Sequence, residues 1–339
     1  SGGDGGMMWE IAKLGDISKN IQTGPFGSQL HQSDYSECGI PVVMPKDLVG
    51  GKISEESIAR VDKTHVERLC RHKIEVGDIL YSRRGDVGRC AHVTKKEEGW
   101  LCGTGCLRVT IDSEKADSRF VFFQLQHPDT VGWVEKHAVG ATMLNLNTTI
   151  LSSVPIRLPA LEIQKRIADI LSAYDDLIEN NQKQIKLLEE AAQRLYKEWF
   201  VDLRFPRHEN TRIVDGVPEG WNWCKLEDAI QFDPKVTLTK ERMKQFIPMS
   251  ALSTSSMVLD ESQFTETTSN SGSKFQNGDT LLARITPCLE NGKTAYVSGL
   301  KSDEGAVGST EYIVMRAKTI NAYMVYLLER TDDFRQSAI

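Results

Sequence analysis

The sequence predicts an α+β protein in which two globular, mixed α/β domains are joined by one long coiled-coil helix. Three observations predict it: a 46-residue stretch free of helix breakers, an apolar heptad along that stretch, and a pattern before it that returns after it.

The helix comes first because the rest is organised around it. Between Pro159 and Pro206 there is no Gly and no Pro, the two residues that most penalise a helix interior. One set of core positions is Ile167, Tyr174, Asn181, Leu188 and Leu195; the other is Leu171, Ile178, Ile185, Ala192 and Trp199. Spacings of three and four put all ten on one stripe of a helix, and only Asn181 interrupts its apolar character. At about 1.5 Å per residue, Ile163 to Phe200 would span roughly 57 Å. That exceeds an ordinary globular helix and reads as one strand of a coiled coil, with Asn181 fixing its register. The competing reading is a long core helix inside a single domain.

The helix divides the chain into a first domain over 8–158, a spacer over 159–205 and a second domain over 206–339. Residues 1–7 read as a tag or linker, with Met7 or Met8 as the expected native start. In the first domain, short apolar runs alternate with turns, as in Ile40-Pro41-Val42-Val43-Met44, Ile79-Leu80-Tyr81 and Leu107 to Ile111. They predict short strands. Arg119 to Gln126 and Thr130 to His137 predict short helices.

The second domain repeats the first. Trp9, Lys13, Leu14 and Asp16 match Trp221, Lys225, Leu226 and Asp228. Gly77-Asp78-Ile79-Leu80 with Arg83 matches Gly278-Asp279-Thr280-Leu281 with Arg284. Phe120, Phe123 and Leu125 match Tyr323, Tyr326 and Leu328. The blocks are collinear, so each unit is a whole domain. The match stops at Ile339, opposite about Lys136, before any second long helix. The expectation is therefore a truncated second half, or a seam whose partner comes from another chain.

Composition excludes several classes. The net charge of −6 argues against indiscriminate nucleic-acid binding. Acidic and basic residues balance over 8–158, where a basic run holds Arg60, Lys63, His65, Arg68, Arg71, His72 and Lys73, followed by Arg83, Arg84 and Arg89. The bland reading of these is a solvated face with ion pairs such as Arg84 with Asp86. Nothing is apolar enough to span a membrane, and seven scattered cysteines suit reduced thiols in a cytoplasm. Cys102 and Cys106 lack a second pair at zinc spacing, so no metal site is expected. Gly292-Lys293-Thr294 ends like a phosphate loop, but Pro287 stands where its first Gly should be. Asp233-Pro234-Lys235 suggests a nuclease carboxylate cluster only loosely. No zinc helix, nucleophile elbow or aromatic base-holding motif is present. Two similar domains on a spacer, without a catalytic constellation, predict a two-headed binding module.

The residues then resemble a known family, the specificity (S) subunits of Type I restriction-modification enzymes. The stretches that carry the resemblance are Gly24-Pro25-Phe26-Gly27-Ser28 with Leu30, Gly39-Ile40-Pro41-Val42, Gly77-Asp78-Ile79-Leu80 with Arg83, Gly85 and Gly88, and Gly140-Ala141-Thr142 before Leu144-Asn145. The most specific is the junction from Pro155 to Ile167. The second domain lacks the Gly-Pro-Phe-Gly-Ser loop. The resemblance implies that both domains are target recognition domains, each reading half of a split DNA sequence. It implies a non-catalytic subunit that docks methyltransferase subunits and, through them, a motor-nuclease subunit. S-adenosylmethionine, ATP and magnesium would sit on those partners and none on this chain.

A rod of roughly 57 Å suits that reading, since B-DNA repeats about every 34 Å. Arg60, Lys63, Arg68, Arg71 and Lys73 are expected to position phosphates. Arg83, Arg84 and, in the second domain, Arg284 are expected near guanine edges. The seam Ile167, Leu171, Tyr174, Ile178, Asn181, Ile185, Leu188, Leu195 and Trp199 is expected to take a partner helix, a second copy of the chain being one source. The alternatives are a coiled-coil scaffold whose heads bind protein, or a fragment of a fused restriction-methyltransferase.

Overall fold

The computed structural model describes residues 9–140 and 145–338. Ala141, Thr142 and Leu144 of the resemblance, and the expected tag and start residues before Trp9, lie outside the described residues. The chain divides into two compact units that meet in sequence at Ile178 and Glu179.

The first unit begins with β1 (Glu10–Lys13) and β2 (Ser18–Thr23), followed by β3 (Tyr35–Ser36), β4 (Ile40–Val43), β5 (Ala59–Val61) and α1 (Lys63–Arg68). Then come β6 (Ile79–Ser82), β7 (Cys90–His92), β8 (Leu101–Cys102) and β9 (Cys106–Ile111). It closes with α2 (Ser118–Gln126), α3 (Pro128–His137), α4 (Thr148–Ser152), β10 (Pro155–Leu158) and the start of α5 (Leu161–Tyr196). Two four-stranded sheets form, in the orders β2-β9-β6-β7 and β8-β4-β5-β3.

The strand β6 shows why this sequence makes this layering. All four of its residues are buried. Alternate side chains of a strand point to opposite faces. Ile79 and Tyr81 pack with Val121, Leu125 and Leu151 of the helical layer, whereas Leu80 packs with Val43, Ile74 and Cys102 toward the other sheet. A strand covered on both faces reads as a continuous apolar run. In a separate two-stranded sheet, β10 pairs antiparallel with β1, Lys13 opposite Pro155.

The second unit repeats the plan. It contains β11 (Ile230–Phe232), β12 (Lys244–Ile247), β13 (Thr265–Thr267), β14 (Ser273–Phe275), β15 (Thr280–Ala283), β16 (Thr294–Tyr296), β17 (Ala306–Gly308), β18 (Tyr312–Ala317), α6 (Ala322–Glu329) and α7 (Asp332–Ala338). Its sheets run β11-β18-β15-β16 and β13-β12-β17-β14. The first order matches its counterpart strand for strand. The second sheets share a parallel core pair, β8 on β4 and β17 on β12. They differ at an edge: β14 pairs with β17 over three residues, where the first unit has one isolated bridge, Lys73 to Leu101.

The repeated Gly-Asp pair is a turn device. Gly77 and Gly278 sit at φ +91° and +94°, a left-handed conformation that favours glycine. The carboxylates that follow accept the backbone N–H groups of Glu75 (2.9 Å) and Gln276 (2.8 Å). Burial raises the Asp78 carboxyl above its ordinary pKa, and Thr110 Oγ1 donates to it at 2.6 Å.

The long helix departs from expectation at its ends. Regular α-helix stops at Tyr196, a π-turn follows over Lys197–Val201, and Leu203 is left-handed at φ 55°. It is also less free at its start than a bare spacer would be. Gln164 and Ala168 are buried in the first unit, where Gln164 accepts from Asp117 N (3.0 Å) and donates to the Pro159 carbonyl (2.8 Å). In the second unit, Glu189 accepts from Met257 N at 2.8 Å.

Candidate nucleic-acid interface

Strand pairing gathers the loops of the first unit at one end of its sheets. Thr23 at the end of β2 lies opposite Leu107 near the start of β9, and Ser82 at the end of β6 lies opposite Cys106. The segments beyond, 24–29, 83–89 and 103–105, therefore share that end. Arg83 N donates to the Gly105 carbonyl (2.8 Å), and Thr104 Oγ1 donates to the Pro25 carbonyl (3.0 Å).

The cations there are unequal. Arg84 is exposed, and its guanidinium makes no hydrogen bond or ion pair with the described residues. The ion pair with Asp86 that the sequence suggested belongs to Arg89 instead, at 2.6 Å. Arg83 is half-buried, and its Nε has no partner among the described residues. Gly85, at φ +75°, turns the loop. Arg284 stands at the equivalent strand end, its N–H bonded to the Glu311 carbonyl, but Glu311 Oε2 and the Thr310 carbonyl hold its Nη2, each at 3.3 Å.

The basic run splits in the same way. Arg60 is engaged by the Gly39 carbonyl (3.1 Å) and Glu55 (3.6 Å), and Arg68 pairs with Asp34 at 3.4 Å. Lys63, Arg71 and Lys73 carry no side-chain partner among the described residues. The Thr64 hydroxyl and the His65 backbone and ring hold the Asp62 carboxyl far below the ordinary carboxylate range, where it caps α1. His72 leaves the cationic set. It is buried, and desolvation lowers its pKa, which disfavours the charged imidazolium. The Arg71 carbonyl accepts from Gln22 Nε2 at 2.7 Å, which sets this ridge beside the end of β2.

Sequence reasoning passes over Gln22 and Thr104 as ties, because both bond to groups far along the chain, 49 and 79 residues away. The other motifs lose their chemical readings. Asp233 Oδ1 accepts from Val314 N (3.1 Å), a structural role. Thr294 Oγ1 is shared between the Leu281 carbonyl (2.8 Å) and Glu329 Oε2 (2.6 Å), so Gly292-Lys293-Thr294 offers no free hydroxyl. Cys102 and Cys106 are buried, and burial pushes the Cys102 thiol up to about 12 and the Cys106 thiol well above its usual range. Among the described residues, no group of three or more His, Cys, Asp or Glu is placed to hold a metal.

Along α5, Leu171, Tyr174, Ile178, Asn181, Ile185, Leu188 and Leu195 are exposed, Leu188 at 69 %, while Ile167 and Trp199 are half-buried. Ile170, Leu177 and Leu187 are exposed beside them and widen the stripe.

The fold thus defines a class: two repeated, two-sheet heads joined through a long helix, with no described helix long and apolar enough to cross a membrane. The model of the Type I restriction modification DNA specificity domain matches residues 7–190, and the chain belongs to that family. It is 28 % identical over 231 residues to the putative type I restriction enzyme MjaX specificity subunit of Methanocaldococcus jannaschii, covering 66 % of this chain and 53 % of the relative. It is 27 % identical over 213 residues to the type I restriction enzyme HindI specificity subunit of Haemophilus influenzae, covering 62 % and 44 %. The chain thus spans about half the length of these curated relatives. The crystal structure of a Type I restriction-modification S subunit from M. genitalium shares the fold, with a TM-score of 0.59 at 15 % identity, covering 99 % of this chain and 81 % of that one.

Proposed function

We propose that this chain is a non-catalytic DNA-specificity subunit whose two heads each read one half of a split target. The observation that carries the reading is the repeated placement of Arg83 and Arg284 past the end of the same central strand, within a chain of the specificity family. Lys63, Arg71, Lys73 and Arg84, whose side chains have no partner among the described residues, supply phosphate or base contacts. Methyltransferase subunits dock on the chain, and a motor-nuclease subunit joins through them. S-adenosylmethionine, ATP and magnesium are bound by those partners, in the cytoplasm.

The exposed seam of α5 supports a second element of this reading. Apolar a and d positions left open to solvent call for a facing helix. A second copy of the chain supplies one with the same Asn181, in a symmetric pair.

The test is co-expression with a cognate methyltransferase subunit, followed by mapping of modified adenines across the host genome. A split motif with unlike halves supports two reading heads in one chain. A split palindrome supports a paired copy presenting one head twice. Protein-only binding by the heads, with no loss of DNA association as salt rises, would replace the DNA reading with the scaffold reading.

A further inference from the structure

The loop after β2 presents a side chain that the fold does not use. Pro25 and Leu30 are buried, but Phe26 between them is 57 % exposed. The backbone around it is pinned. Gly24 N donates to the Cys106 carbonyl (2.9 Å), Thr104 Oγ1 holds the Pro25 carbonyl (3.0 Å), Phe26 N donates to Gln29 Oε1 (3.1 Å), and Gln29 N donates to the Phe26 carbonyl (2.8 Å). A Cβ at Gly24 would stand 2.0 Å from the Gly103 carbonyl oxygen, so the strand and the 103–105 turn are in closest approach there. At Gly27, the next residue, a Cβ would meet nothing within 4 Å, so the loop is open at that position.

A single exposed aromatic is ordinary on a protein surface. Two observations make this one different. First, the repeat supplies an internal control. In the second unit the equivalent strand leaves its sheet at Asp233, whose N–H donates to the Val314 carbonyl (2.7 Å) and whose Oδ1 accepts from Val314 N (3.1 Å). The same sheet order closes without the loop, so the loop is not a requirement of the fold. Second, its ties lead to cations that have no side-chain partner among the described residues. Gln22, two residues before the loop, holds the Arg71 carbonyl, and Gly105, next to Thr104, holds the Arg83 N–H ahead of Arg84.

We propose that Phe26 is an apolar wedge of the first head, entering a base step of duplex DNA while the arginines on either side engage phosphates. The inference rests on the DNA reading above and deepens it by naming a positioning residue. Rigid apolar side chains inserted between base steps unstack them, and stacking of an aromatic ring on a base does not require a hydrogen-bond partner. The flanking cations favour a polyanion over a protein partner as occupant of this surface. The second head lacks the wedge, so the two halves of the target are read by different means.

The experiment uses the complex with the methyltransferase subunit and duplexes carrying the mapped motif, with 2-aminopurine placed in turn at each position of the half read by the first head. The wild type is expected to raise the fluorescence at one step. Phe26→Ala is expected to abolish that rise and weaken binding roughly 5- to 100-fold. Phe26→Leu restores part of both, and the salt slope is unchanged because Phe26 neutralises no phosphate. A rise that persists in Phe26→Ala, or unchanged affinity, overturns the wedge while leaving DNA recognition standing. Loss of methyltransferase assembly instead of DNA binding overturns it in favour of a protein contact. If the wild-type complex binds no duplex in a salt-dependent way, the DNA reading itself fails. Should Phe26→Ala lower the thermal midpoint, Phe26→Leu decides the matter.

Discussion

Arg316 and Asp279 meet across β15 and β18 as a two-pronged ion pair, with Nε to Oδ1 at 2.6 Å and Nη2 to Oδ2 at 2.8 Å. In the first unit Asp78 takes the hydroxyl of Thr110 at 2.6 Å, and Arg108 stands 3.8 Å away. Strand register makes Thr110 and Arg316 equivalents, since Ile79 faces Val109 and Thr280 faces Met315. One buried carboxylate at one turn is thus satisfied in two ways, and the element common to both units is the turn.

Removing one member of a buried pair leaves the other charge uncompensated. Arg316→Leu is expected to destabilise the second unit by about 3 kcal/mol, the lower end of that range because Arg316 is partly exposed. Amide exchange restricted to residues of β15 and β18 checks this, and the first unit should not change.

Glu329 gives a pH prediction. Its side chain is buried and burial raises its pKa to about 8. The single Thr294 hydroxyl proton cannot serve both the Leu281 carbonyl and Glu329, so a protonated Glu329 that donates to Thr294 fits the geometry. The folded carboxyl holds its proton where the unfolded one, near pH 4.5, has lost it. Stability from this group is full below about pH 4.5 and falls as pH rises to about 8. Glu329→Gln is expected to flatten that decline and raise the thermal midpoint of the second unit at pH 8, read by calorimetry at pH 6 and pH 8.

The cations without a partner among the described residues predict a salt signature. Arg84→Ala and Arg71→Ala are each expected to weaken DNA binding, and each is expected to reduce the slope of log affinity against log salt by about 1, the value of one phosphate left unneutralised. Arg68→Ala, whose guanidinium is already paired with Asp34, should change the slope less. A salt titration by fluorescence anisotropy separates them.

The seam predicts an assembly defect without a folding defect. Leu188 is 69 % exposed, so Leu188→Asp is expected to leave the circular dichroism of both units intact while lowering the assembled mass in light scattering. Unfolding of the first unit would instead make the helix a core element.

Gly24 tests the loop backbone. A methyl group 2.0 Å from the Gly103 carbonyl oxygen cannot be accommodated without moving backbone. Gly24→Ala is expected to cost about 1–3 kcal/mol by that strain, measured as a lowered urea midpoint.

Much of the fold is legible in the sequence because it follows from local periodicity. The absence of Gly and Pro after Pro159 marks α5, and the short apolar runs mark β4, β6 and β9. The collinear blocks mark a repeated domain, and its sheets have the same core order. The start of α3 lies two residues before the expected Thr130 because Pro128 occupies the first helical turn, where a missing N–H is no loss. The spacer expected to run to Phe205 ends its regular helix sooner, because nothing in its composition signals the π-turn at Lys197.

The site is legible only in part. That Arg83 and Arg284 share a place is visible in the aligned Gly-Asp blocks. That Arg284 is clamped by Glu311 while the Arg84 guanidinium has no partner among the described residues, that His72 is buried among the basic residues, and that Phe26 stands on a pinned loop are not. By itself the sequence determined the long helix and several of the strands and short helices, that the domain occurs twice, and where the apolar stripe runs, since periodicity and turn chemistry act over a few residues. Only the tertiary structure decided which cations find partners among the described residues and which side chains stand exposed, because those depend on strand pairings that bring residues 27 to 79 positions apart to within hydrogen-bonding distance.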